Sequence, residues 1–260
     1  MPTMDKLTES PRKDLHVFYV LDTSGSMEGA KISALNHAME ECTEALKTLA
    51  KSNGDAKLKM AVMQFNTNCS WVTYNGPEDL DGDFMYEYMD AGGLTEMGAA
   101  LRELNSKLSR HAYLNSMVGA LMPVIIFMTD GYATDNYQDA LEEIRKNRWF
   151  RRGTKIGFAL GDDADTAMIA SVVGNKEAVI QTTDLELFKR LMKFVSVTAS
   201  MLVSQSATTE TASSGADIID RAKKDMDLSD SITPDVSDDD YSKEPDTGGA
   251  DDGWGDDNEW

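Results

Sequence analysis

Two carboxylates and three hydroxyls, carried by three separate stretches of the chain, form a set suited to holding a metal ion. Asp22, Ser24 and Ser26 alternate within Asp22-Thr23-Ser24-Gly25-Ser26. Thr95 closes Gly92-Gly93-Leu94-Thr95, and Asp130 lies in Thr129-Asp130-Gly131. The donors are all oxygens, with no Cys or His among them. Such a set suits a hard divalent cation: Mg2+, which keeps octahedral geometry and some water, or alternatively Mn2+ or Ca2+. Neutral hydroxyls leave the charge of the cation largely uncancelled. The metal would stay electrophilic, and an open coordination position could accept a carboxylate from a protein partner.

Each stretch needs an element that delivers it to a common point. His16 to Leu21 (HVFYVL) is an almost unbroken apolar run, as expected of a strand buried on both faces, and it leads straight into Asp22. Val124 to Met128 (VIIFM) is a second such run and leads into Thr129 and Asp130. Thr95 opens a helix to Arg110 whose Met97, Leu101, Leu104 and Leu108 share one face. A helix follows the first strand, with Ile32, Leu35, Met39, Cys42, Leu46 and Leu49 at spacings of three and four. Strands at Leu58–Phe65 and Ser70–Tyr74, parted by turn-prone residues around Asn66 to Asn68, read as an antiparallel pair. Further on come a helix over Tyr137–Phe150, a strand at Lys155–Leu160, a short helix from Thr166, a strand at Ala178–Gln181 and a helix from Leu185 to Val203. This alternation predicts an α/β, Rossmann-like doubly wound sheet of six mostly parallel strands, with one short antiparallel edge strand and helices on both faces. In such sheets ligands bind outside the carboxyl ends of the strands, which is where all three stretches fall. Gly25 is expected to supply the unusual backbone angles of the first turn.

The chain has 260 residues and a net charge of -20. This acidity argues against a nucleic-acid partner, which needs clustered Lys and Arg, and against docking on anionic membranes. No apolar run reaches the roughly 20 residues of a membrane span, and residues 1–14 are polar, without the apolar stretch of a secretion signal. With only Cys42 and Cys69, a disulfide framework is not expected, and the reading is a cytoplasmic protein with two reduced thiols. Charge is uneven: residues 204–260 hold 17 acidic and 4 basic residues, a net of -13. That composition predicts a folded domain over 15–203 and a disordered acidic tail over 204–260. Within the tail, Ile218, Ile219, Ala222 and Met226 could fold as a helix on a partner, and Trp254 and Trp260 could anchor an interface. Ser229, Ser231, Thr233 and Ser237 lie among carboxylates and are candidate phosphorylation sites. A tail carboxylate could also occupy the open metal position.

The pattern Asp-x-Ser-x-Ser after the first strand, Thr95 in a Gly-rich loop and Thr-Asp-Gly after a later apolar strand resembles the metal-ion-dependent adhesion site of von Willebrand factor A domains. The resemblance covers residues 16–203 and implies that Ser24, Ser26 and Thr95 bind the metal directly, with Asp22 and Asp130 direct or through water. Three further segments are similar to the bacterial tellurite-resistance-associated members of the family: Asp130-Gly131-Tyr132-Ala133-Thr134-Asp135, Ala159 to Asp165, and Phe194 to Ser200. That likeness implies a stress-response or phage-defence setting, with a protein kinase and a PP2C-type phosphatase as companions.

Other groups have blander roles. Asp162, Asp163 and Asp165 suit a helix N-terminus, and Arg145, Lys146, Arg148, Arg151 and Arg152 suit a helix C-terminus, with Trp149 and Phe150 as core anchors. His16, His37 and His111 share no ligand spacing. Two rivals to a binding module stand. One is a Mg2+-dependent phosphohydrolase with Asp22 as nucleophile, disfavoured because Ser24 stands where such enzymes carry a second acid. The other is a structural subunit with an unused metal site.

Overall fold

The computed structural model describes residues 11–74, 76–80, 82–206, 214–228 and 232–234. The apolar run around HVFYVL becomes β1 (Lys13–Asp22), buried at every position after Lys13 because strands flank it on both sides and helices cover both faces. A single 3-10 turn at Gly25–Met27 leads into α1 (Ala30–Ser52), which returns the chain to β2 (Ala56–Phe65), parallel to β1. β3 (Cys69–Trp71) and β4 (Glu78–Asp79) both pair antiparallel with β2. α2 (Met97–Lys107), β5 (Val124–Thr129), α3 (Gln138–Lys146), α4 (Arg148–Arg152), β6 (Thr154–Leu160), α5 (Thr166–Val173) and β7 (Val179–Thr182) follow, and α6 (Leu185–Ser206) and α7 (Gly215–Asp225) end the series.

The sheet runs β3-β2-β1-β5-β6-β7, with β4 also on β2. The expected doubly wound, mostly parallel α/β sheet is therefore present, with seven strands instead of six. The additional strand is two residues long, too short to leave a periodicity in sequence. The strand expected at Ser70–Tyr74 stops at Trp71 as regular structure, because beyond it the Thr73 hydroxyl takes over as acceptor for the Val62 N–H (3.2 Å).

Alternation along β1 sorts the core. Leu15, Val17, Tyr19 and Leu21 pack with α1, α6 and α7, and Phe18 and Val20 pack with residues of α2 to α5 on the other face. The helix expected over Tyr137–Phe150 is two helices. Asn147 adopts extended backbone, and its side chain accepts from the Trp149 N–H, capping α4. The competing side-chain bond ends α3 where periodicity alone would have continued it. Phe150 is buried as expected, while Trp149 is half-buried beside it.

The folded unit does not end at Val203, as composition had suggested. α6 continues to Ser206, and α7 lies on the body of the domain, with Ile218, Ile219 and Ala222 fully buried. Ser214 and Asp217 form a reciprocal capping box at its start. The apolar stripe read as a surface for a partner is thus covered by the chain's own core. The net charge hid this, because four apolar positions decide where a helix packs while the acidic residues between them face solvent. Ser229, Ser231, Ser237, Trp254 and Trp260 lie outside the described residues. Thr233 accepts a hydrogen bond from Lys223 Nζ at 3.2 Å. Among the described residues, no helix is long and apolar enough to cross a membrane.

Candidate metal centre

From β1 the chain goes to β2 on one side and comes back, later, to β5 on the other. The carboxyl ends of β1 and β5 therefore flank the point where the strand order switches, the usual location of a ligand crevice in such sheets. The register pairs Leu21 with Met128, which sets Asp22 beside Thr129. The Thr129 hydroxyl donates to Asp22 Oδ2 at 2.5 Å, and the Ser24 N–H donates to Asp22 Oδ1 at 2.8 Å. Asp22 is fully buried. Burial raises its pKa above the ordinary carboxylate value, the bonds from Thr129 and Ser24 oppose that rise, and the nearby Asp130 adds to it. A buried carboxylate so disfavoured in its charged form is one that a cation would stabilise.

The turn after Asp22 carries the two serines toward β5. Ser24 Oγ and Ser26 Oγ are 3.1 Å apart, and Ser26 Oγ donates to Asp130 Oδ1 at 2.7 Å. Ser26 donates its one proton to Asp130, so it accepts from Ser24 and keeps one lone pair available for a metal. Met27, fully buried, anchors the turn in the core.

Thr95 arrives on a loop stitched to both neighbours. The Gly92 N–H donates to Thr23 O (2.8 Å) and the Gly25 N–H donates to Gly93 O (3.0 Å). Gly25, expected to supply unusual backbone angles, does not have a positive φ. A Cβ there would stand 3.4 Å from Gly93 O, at the limit of ordinary van der Waals contact. The left-handed residue is Gly93, at φ 84°, where a Cβ would also meet Thr67 Oγ1 at 2.6 Å. On the far side, the Thr95 N–H donates to Thr134 Oγ1 (3.1 Å) and the Thr134 N–H returns to Thr95 O (2.8 Å). Asp135 then accepts from the Gly98 and Ala99 N–H groups at 3.0 and 3.1 Å, capping the start of α2 from another loop. Glu96, the residue in the N-cap position of α2, makes no such bond itself.

All five residues singled out in sequence thus stand at one edge of the sheet, and Asp22, Ser24, Thr95 and Asp130 are buried there while Ser26 is exposed. Sequence reasoning missed four others: Thr129, which orients Asp22; Thr134 and Asp135, which hold the Thr95 loop; and Lys31, whose Nζ lies 2.6 Å from Asp130 Oδ2. Thr129, Thr134 and Asp135 were visible inside motifs already quoted, but nothing local assigned them a role. The remaining groups stay apart from the site. Asp165 caps α5 through the Met168 N–H, and Asp162 and Asp163 are exposed. Arg145, Arg151 and Arg152 sit in the last turns of α3 and α4. His16 is buried, His37 and His111 exposed.

This arrangement, with Asp-x-Ser-x-Ser, a loop threonine and Thr-Asp-Gly gathered at the switch point, is that of a recognised class of domain. The chain belongs to the von Willebrand factor type A domain family, whose model matches residues 16–194. Solved structures share the fold at low identity. A von Willebrand factor type A protein from Catenulispora acidiphila superposes with TM-score 0.55 at 16% identity, covering 74% of this chain and 43% of that one. The ArnB paralog VWA2 from Sulfolobus acidocaldarius gives 0.51 at 13%, covering 71% and 45%. Proximal thread matrix protein 1 from the mussel byssus, described with zinc occupying its MIDAS motif, gives 0.52 at 17%, covering 73% and 48%. The chain spans less than half the length of each of these proteins. No curated protein matches it.

Proposed function

We propose that Asp22, Ser24, Ser26, Thr95 and Asp130 hold one divalent cation, and that the cation recruits a partner protein through a carboxylate. The observation that carries this reading is that two buried carboxylates meet the serine turn at the switch point, Asp22 through the Ser24 N–H and Asp130 through the Ser26 hydroxyl, and that the Thr95 loop is bonded to the turns after both strands. The donor set fits a hard ion, Mg2+ first, with Mn2+ or Ca2+ as substitutes. The mussel protein with zinc in its MIDAS motif supports a divalent occupant in this fold. When bound, the metal would supply an electrophilic position. The chain's own residues do the rest: Asp22 and Asp130 balance charge, Thr129 and the Ser24 N–H keep Asp22 oriented, and Thr134 keeps Thr95 at the edge.

Phosphoryl transfer fits less well. With Asp22 as nucleophile, such an enzyme would carry a second acid two residues on, where this chain has Ser24. The reading is therefore a non-enzymatic adaptor. Its setting, by the likeness of the Asp130–Asp135, Ala159–Asp165 and Phe194–Ser200 segments, is a cytoplasmic stress-response or phage-defence system of the tellurite-resistance kind, with a protein kinase and a PP2C-type phosphatase among possible partners. Neighbouring genes encoding neither enzyme would count against that setting.

The test of the site is calorimetric titration of Mg2+ and Mn2+ into chelator-treated protein, with Asp130→Ala alongside and a thermal-shift check for heat-silent binding. One saturable event in the parent and none in the variant is expected. No event in either, by heat or by melting, refutes the site and leaves a structural subunit.

A further inference from the structure

Asp130 has two oxygens, and each already has a partner. Oδ1 accepts from Ser26, and Oδ2 is held by the Lys31 ammonium at 2.6 Å. The carboxylate is fully buried and the lysine side chain is 33% exposed, so the ammonium reaches in from the rim of the site. Lys31 stands near the start of α1, after the turn that carries Ser24 and Ser26. The end of β6 closes on the same point, since a Cβ at Gly161 would lie 3.7 Å from Lys31 Nζ. The ammonium is thus directed at the strand-end edge where the proposed metal would bind.

We propose that Lys31 is an internal counter-cation that competes with the divalent metal for Asp130 and sets how much metal the site needs. This rests on the metal-site reading above. Without metal, the ammonium offsets the charge of a carboxylate that has no access to water. With metal, two cations would share one carboxylate at contact distance and repel each other. The lysine is the partner that can leave, because its stem is flexible and its head strongly hydrated once outside. Metal entry therefore exchanges one cation for another: the Lys31–Asp130 pair breaks, Asp130 turns to the metal, and the ammonium moves to the rim. The site is not preloaded against its own charge, and only a cation that outcompetes the tethered ammonium fills it.

The experiment compares parent, Lys31→Met and Lys31→Gln by calorimetric titration with Mg2+ and by melting in chelator. Removing the competitor should tighten Mg2+ binding by about tenfold or more, the scale of one hydrogen bond to a charged group. The same variants should melt lower than the parent in chelator and regain more on adding Mg2+. A second readout separates displacement from simple charge removal. Amine-reactive labelling of the parent, read by mass spectrometry, should modify Lys31 faster at saturating Mg2+ than in chelator. Equal affinity in parent and variants leaves the metal site standing and overturns the competitor role, as does labelling of Lys31 that metal leaves unchanged. Absence of Mg2+ binding in parent and variants alike overturns both. Binding by the variants alone supports competition in its strongest form.

Discussion

Replacing Asp135 with alanine tests how the Thr95 loop is held. Its carboxylate accepts from the Gly98 and Ala99 N–H groups at 3.0 and 3.1 Å and stands 3.6 Å from Arg102. Two of the four free N–H groups at the start of α2 are thereby satisfied from a loop 37 positions downstream. Losing an N-cap costs about 0.5–2 kcal/mol, and hydrogen bonds to a charged group are worth about 1.5–3 kcal/mol each. The Asp135 side chain is 19% exposed, so water replaces part of the loss, and the Arg102 pair at the surface adds little. We expect a net loss of about 2 kcal/mol, which for a domain of this size lowers Tm by about 4–8 °C. Thr95 lies two residues before α2, so the same change should weaken Mg2+ binding although Asp135 is not among the proposed ligands. Chelator-treated parent, Asp135→Ala and Asp135→Asn would be compared by urea melting, then by Mg2+ calorimetry. Asparagine keeps one neutral acceptor and should fall between the other two. A variant within about 0.5 kcal/mol of the parent, the range of an ordinary surface substitution, with undiminished Mg2+ affinity, would refute the capping role.

Two further expectations test the packing. Ile219→Ala should cost about 2–5 kcal/mol in chemical melting, because the side chain is fully buried under α7; a residue in a solvated tail would change stability by less than about 0.5 kcal/mol. His16 is buried and its pKa is lowered from 6.5 to about 4, chiefly by burial, with Asp14 pulling the other way. Between those values the unfolded chain binds a proton that the folded protein refuses, so this contribution is complete above pH 6.5 and is lost as pH falls toward 4, by at most about 3 kcal/mol. Melting from pH 7 to 4.5 should therefore show a steeper loss in the parent than in His16→Phe, and parallel profiles would contradict the assignment.

The sequence by itself determined the edge of the sheet at which the five residues proposed as metal donors stand. Strands such as HVFYVL and VIIFM declare their burial through composition, and whatever follows a buried parallel strand emerges at the ligand edge of the sheet. The turn residues that carry Asp22, Ser24 and Ser26 are local, so their spacing survives folding unchanged. What only the tertiary structure decided are the partners reached across the sheet. Thr129 and Asp22 are 107 positions apart, Lys31 and Asp130 are 99 apart, and their chemistry is invisible until register and helix placement bring them together. The end of the domain belongs to the same category. α7 lies in a 204–260 stretch acidic enough to read as solvated, yet its own three acidic and three basic residues balance, and Ile218, Ile219 and Ala222 fill the core beside α6. Charge balance averages over a segment, whereas burial is decided by the few side chains that meet a complementary surface, and that surface exists only once the sheet and α6 have formed.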